Sequence, residues 1–174
     1  MTHPIQIKSV SINDAATLLE LSRKTFFDAF LHRNNAADMA AYSLTAFTLP
    51  KFENELSNPN SQFYFVWVDN AIVGYLKLNY NFAQTEFQDP EALEIERIYV
   101  LSNFQGQQIG KLLIEFAIQI AIDQSLKYIW LGVWEHNTKA ISFYKNKGFE
   151  QFGSHLFMLG NDEQTDILMR LDLY

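Results

Sequence analysis

The amino-acid sequence predicts a single domain of the mixed α/β class, in which about four helices cover a mostly antiparallel sheet of about seven strands. Three observations lead to this prediction. The chain has 174 residues, the length of one ordinary domain, so residues 1–174 are treated as one unit. Seven short segments carry the alternation, or the β-branched and aromatic content, of strands. One strand–helix–strand unit predicts a parallel pair, because such crossovers are right-handed.

The first half of the chain is predicted to contain a strand, two helical regions and a hairpin. The alternation of residues 5–10 favours a strand, and the polar residues that follow it favour a helix from Ala15 to about Phe30. The later elements are a helical region at 36–56 interrupted at Pro50, strands at 62–68 and 72–80, an acidic loop at 81–90 and a strand at 93–100. Asp69-Asn70 favours a two-residue hairpin turn, since both residue types tolerate a left-handed backbone.

The second half of the chain contains the clearest helix, which is predicted from Gly106 to Gln124 because its apolar residues recur at helical spacing. Residues 127–134 are apolar on both alternating faces, which is typical of a central strand covered on both sides. A short helix from Asn137 to Lys147 should end at Gly148. The last two strands are predicted near 150–159 and 164–173.

Composition excludes several classes of function. The chain has no Cys, which excludes disulfides, thiolate nucleophiles and Cys-based zinc sites, and its four His residues show no ligand spacing, so no metal site is predicted. The net charge of −7 disfavours nucleic acid as a partner. No apolar run is long enough for a bilayer, and the N-terminus lacks a signal-peptide pattern. We therefore expect a soluble, cytoplasmic protein that binds neither membranes nor nucleic acid.

The first segment with chemical content is a strand that runs into a loop and then into a helix. Ile98, Tyr99 and Val100 end the strand. The loop and first helical turn that follow are Gln105, Gly106, Gln107, Gln108, Ile109, Gly110 and Lys111. The first amides of a helix have no intrahelical partner and lie at its positive end, so this turn could bind phosphate. The alternative is a turn whose glycines serve packing.

The second segment is the short helix at residues 137–147. Asn137, Ala140, Ile141 and Tyr144 share one helical face, where a polar amide and a phenol on an apolar surface require partners. The alternative is a helix N-cap together with a half-buried core tyrosine.

Taken together, the two segments resemble the GNAT superfamily of N-acetyltransferases. The phosphate loop of that family is Gln or Arg, two residues, Gly, one residue, then Gly or Ala, and Gln105 and Gly110 match its ends while Gln108 departs from the usual Gly. The second family motif is matched by Asn137, Ala140, Phe143, Tyr144, Gly148 and Phe149. The order of elements agrees over nearly the whole chain.

The resemblance implies acetyl-coenzyme A as co-substrate and a defined site for it. The strand that ends at Ile98, Tyr99 and Val100 should separate from the next parallel strand and pair with the pantetheine arm. Amides of residues 105–111 should hold the pyrophosphate, and Asn137 should bond the arm. Tyr144 should protonate the departing thiolate.

The acceptor is expected to be a small-molecule amine. Neutralising a primary alkyl ammonium at pH 7 costs about 4.6 kcal/mol, so a base would help. Glu94 and Glu96 alternate onto one face of the strand, and members of the family place a carboxylate at one of these positions; we prefer Glu96, the alternative being carboxylates paired with Arg97. By resemblance, the end of the first helix borders the acceptor site with Phe26, Phe27, Phe30 and His32.

Two features favour a polyamine as acceptor. Residues 131–137 look like the branch of the superfamily that acetylates spermidine and spermine. Five acids also lie in eleven residues, where they could attract a polycation or serve only solubility. They are Glu86, Asp89, Glu91, Glu94 and Glu96. The alternatives are a protein or peptide N-acetyltransferase and a catalytically silent acyl-coenzyme A sensor, and the sequence is also compatible with a homodimer.

Overall fold

A computed structural model describes residues 4–174 as one seven-stranded sheet with helices on both faces. The strands lie in the order β1-β2-β3-β4-β5-β7-β6, and all neighbours are antiparallel except β4 and β5. The strands are β1 Ile5–Ser9, β2 Ser61–Val68, β3 Ala71–Asn79, β4 Ala92–Val100, β5 Tyr128–Trp134, β6 Glu150–Leu159 and β7 Asp162–Asp172. The helices are α1 Ala15–Phe30, α2 Ala36–Ala46, α3 Leu49–Ser57, α4 Ile109–Asp123 and α5 Thr138–Asn146. The predicted fold class is confirmed.

The structure has five helices where about four were predicted, because the region 36–56 forms two. The break lies at Phe47 and Thr48, before Pro50. Pro50 lies in the first turn of α3 instead of interrupting a helix, since the missing amide of a proline is not needed there. The Asp69-Asn70 turn is confirmed, with φ angles of 47° and 65°.

The helix predicted from Gly106 begins only at Ile109. Gly106 and Gln108 have φ angles of 79° and 66°, in the left-handed region that a right-handed helix cannot include. The loop therefore extends to Gln108, which is the N-cap of α4.

Two apolar layers hold the sheet between the helices. On one face, Leu113 and Ala117 of α4 pack with Ile129 and Leu131 of β5. On the other face, Leu18 and Leu19 of α1 and Phe52 of α3 pack with Phe63, Phe65 and Tyr75 of β2 and β3. Each fully buried large side chain contributes about 1.5–3 kcal/mol. The central strands are therefore held rigidly at the point where they separate.

The parallel pair β4 and β5 is hydrogen-bonded along only part of its length. Its register runs from Ala92 opposite Tyr128 to Ile95 opposite Leu131, whereas β4 continues to Val100 and β5 to Trp134. Beyond Ile95 the two strands pair only with their outer neighbours β3 and β7. A gap therefore opens in the middle of the sheet. None of the helices formed within residues 4–174 is long and apolar enough to cross a bilayer.

Candidate active site

A cavity of about 380 Å³ begins at the gap between β4 and β5. Its walls come from α1, α2, α3, β3, β4, β5, α5, β6 and β7, so segments far apart in the sequence meet there. Ile98 and Tyr99 of β4 and Gly132 and Val133 of β5 all line it. The gap exposes backbone groups of both strands, which gives an extended ligand a strand edge to pair with.

Tyr144 and Asn137 of the α5 segment both line this cavity. Tyr144 is 8% exposed and packs against Phe143 and Phe149, and burial raises the pKa of its phenol above the ordinary value. Its hydroxyl makes no hydrogen bond within residues 4–174. A phenol that stays protonated and has no partner is suited to donate a proton to a bound group.

Asn137 is consistent with both interpretations of its motif, as a helix N-cap and as a polar group available to a ligand. Its Oδ1 accepts a hydrogen bond from the Ala140 amide at 3.2 Å and so caps α5. Its Nδ2 has no hydrogen-bond partner in the described chain, residues 4–174, and remains able to donate into the cavity. The cap fixes the orientation of that donor.

The loop 105–111 leads into α4 and presents free backbone amides there. The amide of Gln105, which was predicted to be among them, instead donates to Ser102 O at 3.3 Å. The first helical hydrogen bond joins the Leu112 amide to Gln108 O at 3.0 Å, so the amides of residues 109–111 have no partner inside the helix. Gln105, Gly106, Gln107 and Gln108 are exposed, and a side chain at Gly106 would meet no atom within 4 Å. Open amides at a helix N-terminus suit a phosphate group.

The predicted strand residues divide between the cavity and the core. Ile98 and Tyr99 line the cavity, and Val100 packs against the core around α4. Tyr99 stacks on Tyr75 with ring centroids 5.7 Å apart, and burial raises the pKa of the Tyr99 phenol. Around α4, Ile109 is buried, whereas the Lys111 side chain is 47% exposed.

Glu94 lies on the cavity wall in a hydrogen-bonded, buried position. Its carboxylate accepts hydrogen bonds from the Thr85 amide at 2.9 Å, from Thr85 Oγ1 at 2.5 Å and from Asn79 Nδ2 at 3.0 Å. Burial raises the pKa of Glu94, and the hydrogen bonds from Thr85 and Asn79 oppose that rise.

Glu96 lies two residues further along β4, at a bulge. Lys77 pairs with Arg97 and Leu78 with Ile95, so Glu96 has no partner on β3. Its carboxylate is 2.5 Å from Lys77 Nζ and 3.1 Å from Arg97 Nη2, and it accepts a hydrogen bond from Asn79 Nδ2 at 2.6 Å.

These contacts set the charge of Glu96. Burial disfavours the carboxylate, but Arg97 and Lys77 outweigh that effect and lower the pKa of Glu96 to about 2. The same two cations also pair with Glu55, which accepts two hydrogen bonds from Arg97 at 2.8 and 2.9 Å. Glu96 is thus part of a four-membered ion network, and a carboxylate held in this way is a weak base.

The five acids of residues 86–96 do not act as one cluster. Glu86, Glu94 and Glu96 line the cavity. Asp89 accepts a hydrogen bond from the Tyr128 hydroxyl at 2.8 Å, and Glu91 is 2.5 Å from Lys127 Nζ. These last two acids tie the loop to the start of β5, and neither lines the cavity.

Aromatic residues also line the cavity. Phe26 and Phe30 of α1, Tyr42 of α2 and Trp134 of β5 line the cavity, and Phe26 stacks on Tyr42 with ring centroids 5.1 Å apart. Phe27 and His32, which were expected beside them, lie outside the lining. The cavity therefore combines apolar surface with carboxylates.

Among the cavity residues that the sequence analysis missed are two ionisable groups of the last hairpin. His155 of β6 lies opposite Asp166 of β7, and both line the cavity. The pairing could have been found by counting equal steps outward from the Gly160-Asn161 turn, because residues of a hairpin pair in this way. A break between the two strands was predicted, but the strands were not aligned on it.

The sequence profile of the acetyltransferase (GNAT) family matches residues 17–149, well over half of the chain. The chain belongs to this family. It is therefore an N-acetyltransferase by family, and it has the separated parallel strands that the resemblance implied.

Known relatives agree with this assignment. An uncharacterized N-acetyltransferase of Lactobacillus delbrueckii subsp. lactis is 43% identical over 166 residues, which are 95% of this chain and 96% of that protein. A spermidine N(1)-acetyltransferase of Thermoplasma acidophilum is 23% identical over 150 residues, 84% of this chain and 88% of that one. The PaiA N-acetyltransferase of the same organism, solved with coenzyme A, has the same fold, with a TM-score of 0.79 and 21% identity over 97% of this chain and 99% of that one.

Proposed function

We propose that this protein transfers the acetyl group of acetyl-coenzyme A to a primary amine of a small cationic molecule, with a polyamine as the best candidate. The observation that carries the proposal is the cavity itself. It is lined by Tyr144 and the separated strands, which would form a cofactor end, and by several carboxylates and aromatic side chains, which would form an acceptor end.

The cofactor would lie in the gap between β4 and β5. Ile98, Tyr99 and Val100 would offer backbone groups to the pantetheine arm, the amides of residues 106–111 would hold the pyrophosphate, and Nδ2 of Asn137 would donate to the arm. Acetyl-coenzyme A supplies the reactive thioester. The unpartnered hydroxyl of Tyr144 would protonate the thiolate that leaves.

The acceptor must lose a proton before it attacks. The sequence led us to prefer Glu96 for that role. Because its ion pairs with Lys77 and Arg97 make Glu96 a weak base, it would instead act as an anion that attracts the ammonium group. Glu94, whose pKa is raised by burial, is the stronger base of the two.

The acceptor end favours a cation over an anion. Two cations line the cavity, but Arg97 is already paired with carboxylates and Lys51 is exposed to solvent. The acids would raise the local concentration of a polycation, and a relative named as a spermidine acetyltransferase supports that choice. A homodimer and a cytoplasmic location stay predictions. The four lining acids are Glu86, Glu94, Glu96 and Asp166.

Acetyl-coenzyme A should stabilise the fold. At 100 times its dissociation constant a ligand adds about 2.7 kcal/mol, which raises the Tm of a domain of this size by about 5–10 °C. A thermal scan with acetyl-coenzyme A, and with ATP as a phosphate-bearing control without a pantetheine arm, tests the site. An unchanged Tm at millimolar acetyl-coenzyme A contradicts it.

Acceptor identity is tested by thiol release from acetyl-coenzyme A. The panel contains polyamines, butylamine, amino acids, aminoglycosides and peptides. We expect the highest kcat/KM with a polyamine and a KM for it that rises between 20 and 300 mM salt, because exposed charges are screened over about 10 Å at 0.1 M. A salt-independent KM, or a preference for an amino acid or a peptide, would contradict a polyamine as the acceptor.

A further inference from the structure

His155 is the one imidazole within residues 4–174 that lines the cavity, and the proposed function leaves it without a role. Its Cε1 atom lies 3.5 Å from the point where a side chain of Gly132 would begin. Gly132 is the first residue of β5 beyond the parallel ladder, which ends at Leu131. The imidazole therefore lies next to the point where the two strands separate, in the space that a missing side chain leaves open.

Both ring nitrogens of His155 face carboxylates from other elements. Nε2 is 3.4 Å from Asp166 Oδ2 on β7, and Nδ1 is 3.1 Å from Glu86 Oε1 in the loop before β4. Neither pair is aligned as a hydrogen bond, and Nδ1 is buried without any other partner in the described part of the chain. The ring thus keeps unused hydrogen-bonding capacity at a cavity wall.

The carboxylates on β4 are poorer proton acceptors than an imidazole would be. Glu96 is held as an anion by Lys77 and Arg97, and Glu94 already accepts three hydrogen bonds. An imidazole changes charge between about pH 5 and 8, which is the range in which a general base works best at neutral pH. The charged groups that face the ring, Glu86 and Asp166, are both acids and would stabilise the imidazolium that forms.

We propose that His155 is the base that removes the proton from the acceptor ammonium, with Glu86, which lies beside Nδ1, as the residue that positions its ring. The proposal rests on the proposed amine acetylation. An N–H bond of the ammonium breaks, its electron pair stays on the nitrogen, and the proton is bound at Nε2, because Nδ1 is buried. The neutral amine then attacks the thioester carbonyl while Tyr144 protonates the departing thiolate, and the imidazolium releases its proton to water.

The first test is the pH dependence of kcat/KM for the best acceptor. We expect His155→Gln to lower kcat by about 10²-fold or more, the typical contribution of a general base. The wild-type profile of log kcat/KM should bend between pH 5 and 8, and the bend should be missing in His155→Gln. His136→Gln is the matched control, since His136 is 69% exposed in its side chain and lies outside the lining.

The second test separates a base from a structural residue. Added imidazole should restore part of the kcat of His155→Ala, with a rate that follows the concentration of neutral imidazole. Glu86→Gln should lower kcat less than His155→Gln does and leave KM for acetyl-coenzyme A unchanged. A bend that persists in His155→Gln, or the absence of rescue in a folded His155→Ala protein, overturns the proposal.

The two proposals fail in different ways. If the wild-type protein acetylates no amine of the panel, the proposed function fails, and the role of His155 is then decided by NMR. The chain has four His residues, and the imidazole resonance missing from His155→Gln identifies the ring. With coenzyme A present, 1,4-diaminobutane should lower the pH at which this resonance titrates, because a bound ammonium disfavours the imidazolium. An unchanged titration contradicts an amine beside His155.

Discussion

The two ends of the cavity are built in different ways. The cofactor end consists of two continuous segments, residues 98–111 and 137–144, whose functional groups lie on one strand end, one loop and one helix. The acceptor end takes its charged residues from the loop before β4, from β4 itself and from β6 and β7. Local backbone geometry positions the first set, whereas long-range ion pairs position the second.

The difference has a chemical consequence. At the cofactor end the polar groups are either backbone amides or side chains oriented by their own helix, as Asn137 is by capping α5. At the acceptor end the charge of each group depends on distant partners, since Glu96 is held as an anion by Lys77 and Arg97. Substitutions at the cofactor end should therefore affect cofactor binding and turnover, whereas substitutions in the ion network of the acceptor end should also affect folding stability and its pH dependence.

The largest effect is expected from Tyr144→Phe at the cofactor end. Without the hydroxyl, the thiolate must leave unprotonated, so kcat should fall by about 10²–10⁴-fold. The dissociation constant for acetyl-coenzyme A should stay within about twofold, because the ring still fills its place against Phe143 and Phe149. Steady-state kinetics and calorimetry measure the two quantities.

Tyr64→Phe is the control for that substitution. This substitution also removes a hydroxyl group, which in the wild type donates a hydrogen bond to Gln62 Oε1 at 2.8 Å. Tyr64 does not line the cavity. Its kcat should remain that of the wild type. Equal kcat values for Tyr144→Phe and the wild type would leave Tyr144 with a packing role alone.

At the acceptor end, by contrast, Glu96→Gln should lower the free energy of unfolding. The substitution leaves Lys77, which is 5% exposed, and Arg97 with one fewer anion. Breaking a buried ion pair from one side destabilises by about 3–5 kcal/mol, so the free energy of unfolding at pH 7 should fall by about 3 kcal/mol. Glu115→Gln, at a side chain that is 51% exposed, should change it by less than about 1 kcal/mol.

The pH dependence of this effect has a defined sign. The pKa of Glu96 is lowered to about 2 from an ordinary 4.5, so its contribution to stability is complete above pH 4.5 and is lost as the pH falls toward 2. The free energies of unfolding of the wild type and of Glu96→Gln, measured by chemical denaturation, should therefore converge over that range. A difference that is constant from pH 7 to pH 3 would show that the charge of Glu96 is not responsible.

The same contrast explains how much the sequence could predict. Strand alternation, helical spacing and the Asp69-Asn70 turn are local properties, and they predicted the fold class and the loop-and-helix segments of the cofactor end. The helix boundary at Ile109 was misplaced because the left-handed conformation of Gln108 has no sequence pattern that distinguishes it from a first helical residue. Local patterns give element types well and their ends poorly.

The acceptor end was predicted less well, for a physical reason. Whether Glu86 lines the cavity while Asp89 and Glu91 face Tyr128 and Lys127 depends on the path of a loop, which alternation does not describe. The partners of Glu96 likewise come from β3 and α3, across a bulge that shifts the register. Charges that meet through tertiary structure leave no spacing in the sequence.

Asn137→Asp should separate the two roles of one residue at the cofactor end. Asp is as good an N-cap as Asn, so the free energy of unfolding should stay within about 0.5 kcal/mol. The substitution removes the amide donor and adds a negative charge. Because the lost hydrogen bond alone contributes about 1 kcal/mol, the dissociation constant for acetyl-coenzyme A should rise about tenfold. Asn137→Ala, the companion variant, should lose about 1 kcal/mol of stability as well. Unchanged affinity in both variants would assign Asn137 to capping alone.

The smallest effect is expected at Gln108, where the chain departs from the glycine usual in the family. Its φ of 66° and ψ of 7° are left-handed, a conformation that costs a side-chain-bearing residue about 1–2 kcal/mol. A glycine at this position would avoid that cost but would lose more freedom on folding, about 0.5–1 kcal/mol. Gln108→Gly should therefore stabilise the protein by about 0.5 kcal/mol in chemical denaturation, with acetyl-coenzyme A affinity equal or slightly higher.

Gly106→Ala provides the opposite change in the same loop. Gly106 has a φ of 79°, and a side chain there would meet no atom within 4 Å, so only the backbone conformation opposes the substitution. We expect it to destabilise by about 1 kcal/mol. Both residues lie in the loop before α4, and no side chain crowds Gly106. The two variants therefore measure the effect of backbone conformation on stability separately from the effect of side-chain packing. If Gln108→Gly lowered stability, the Gln108 side chain would have to make a favourable contact that outweighs its strained backbone, and the loop would no longer be positioned by local geometry alone.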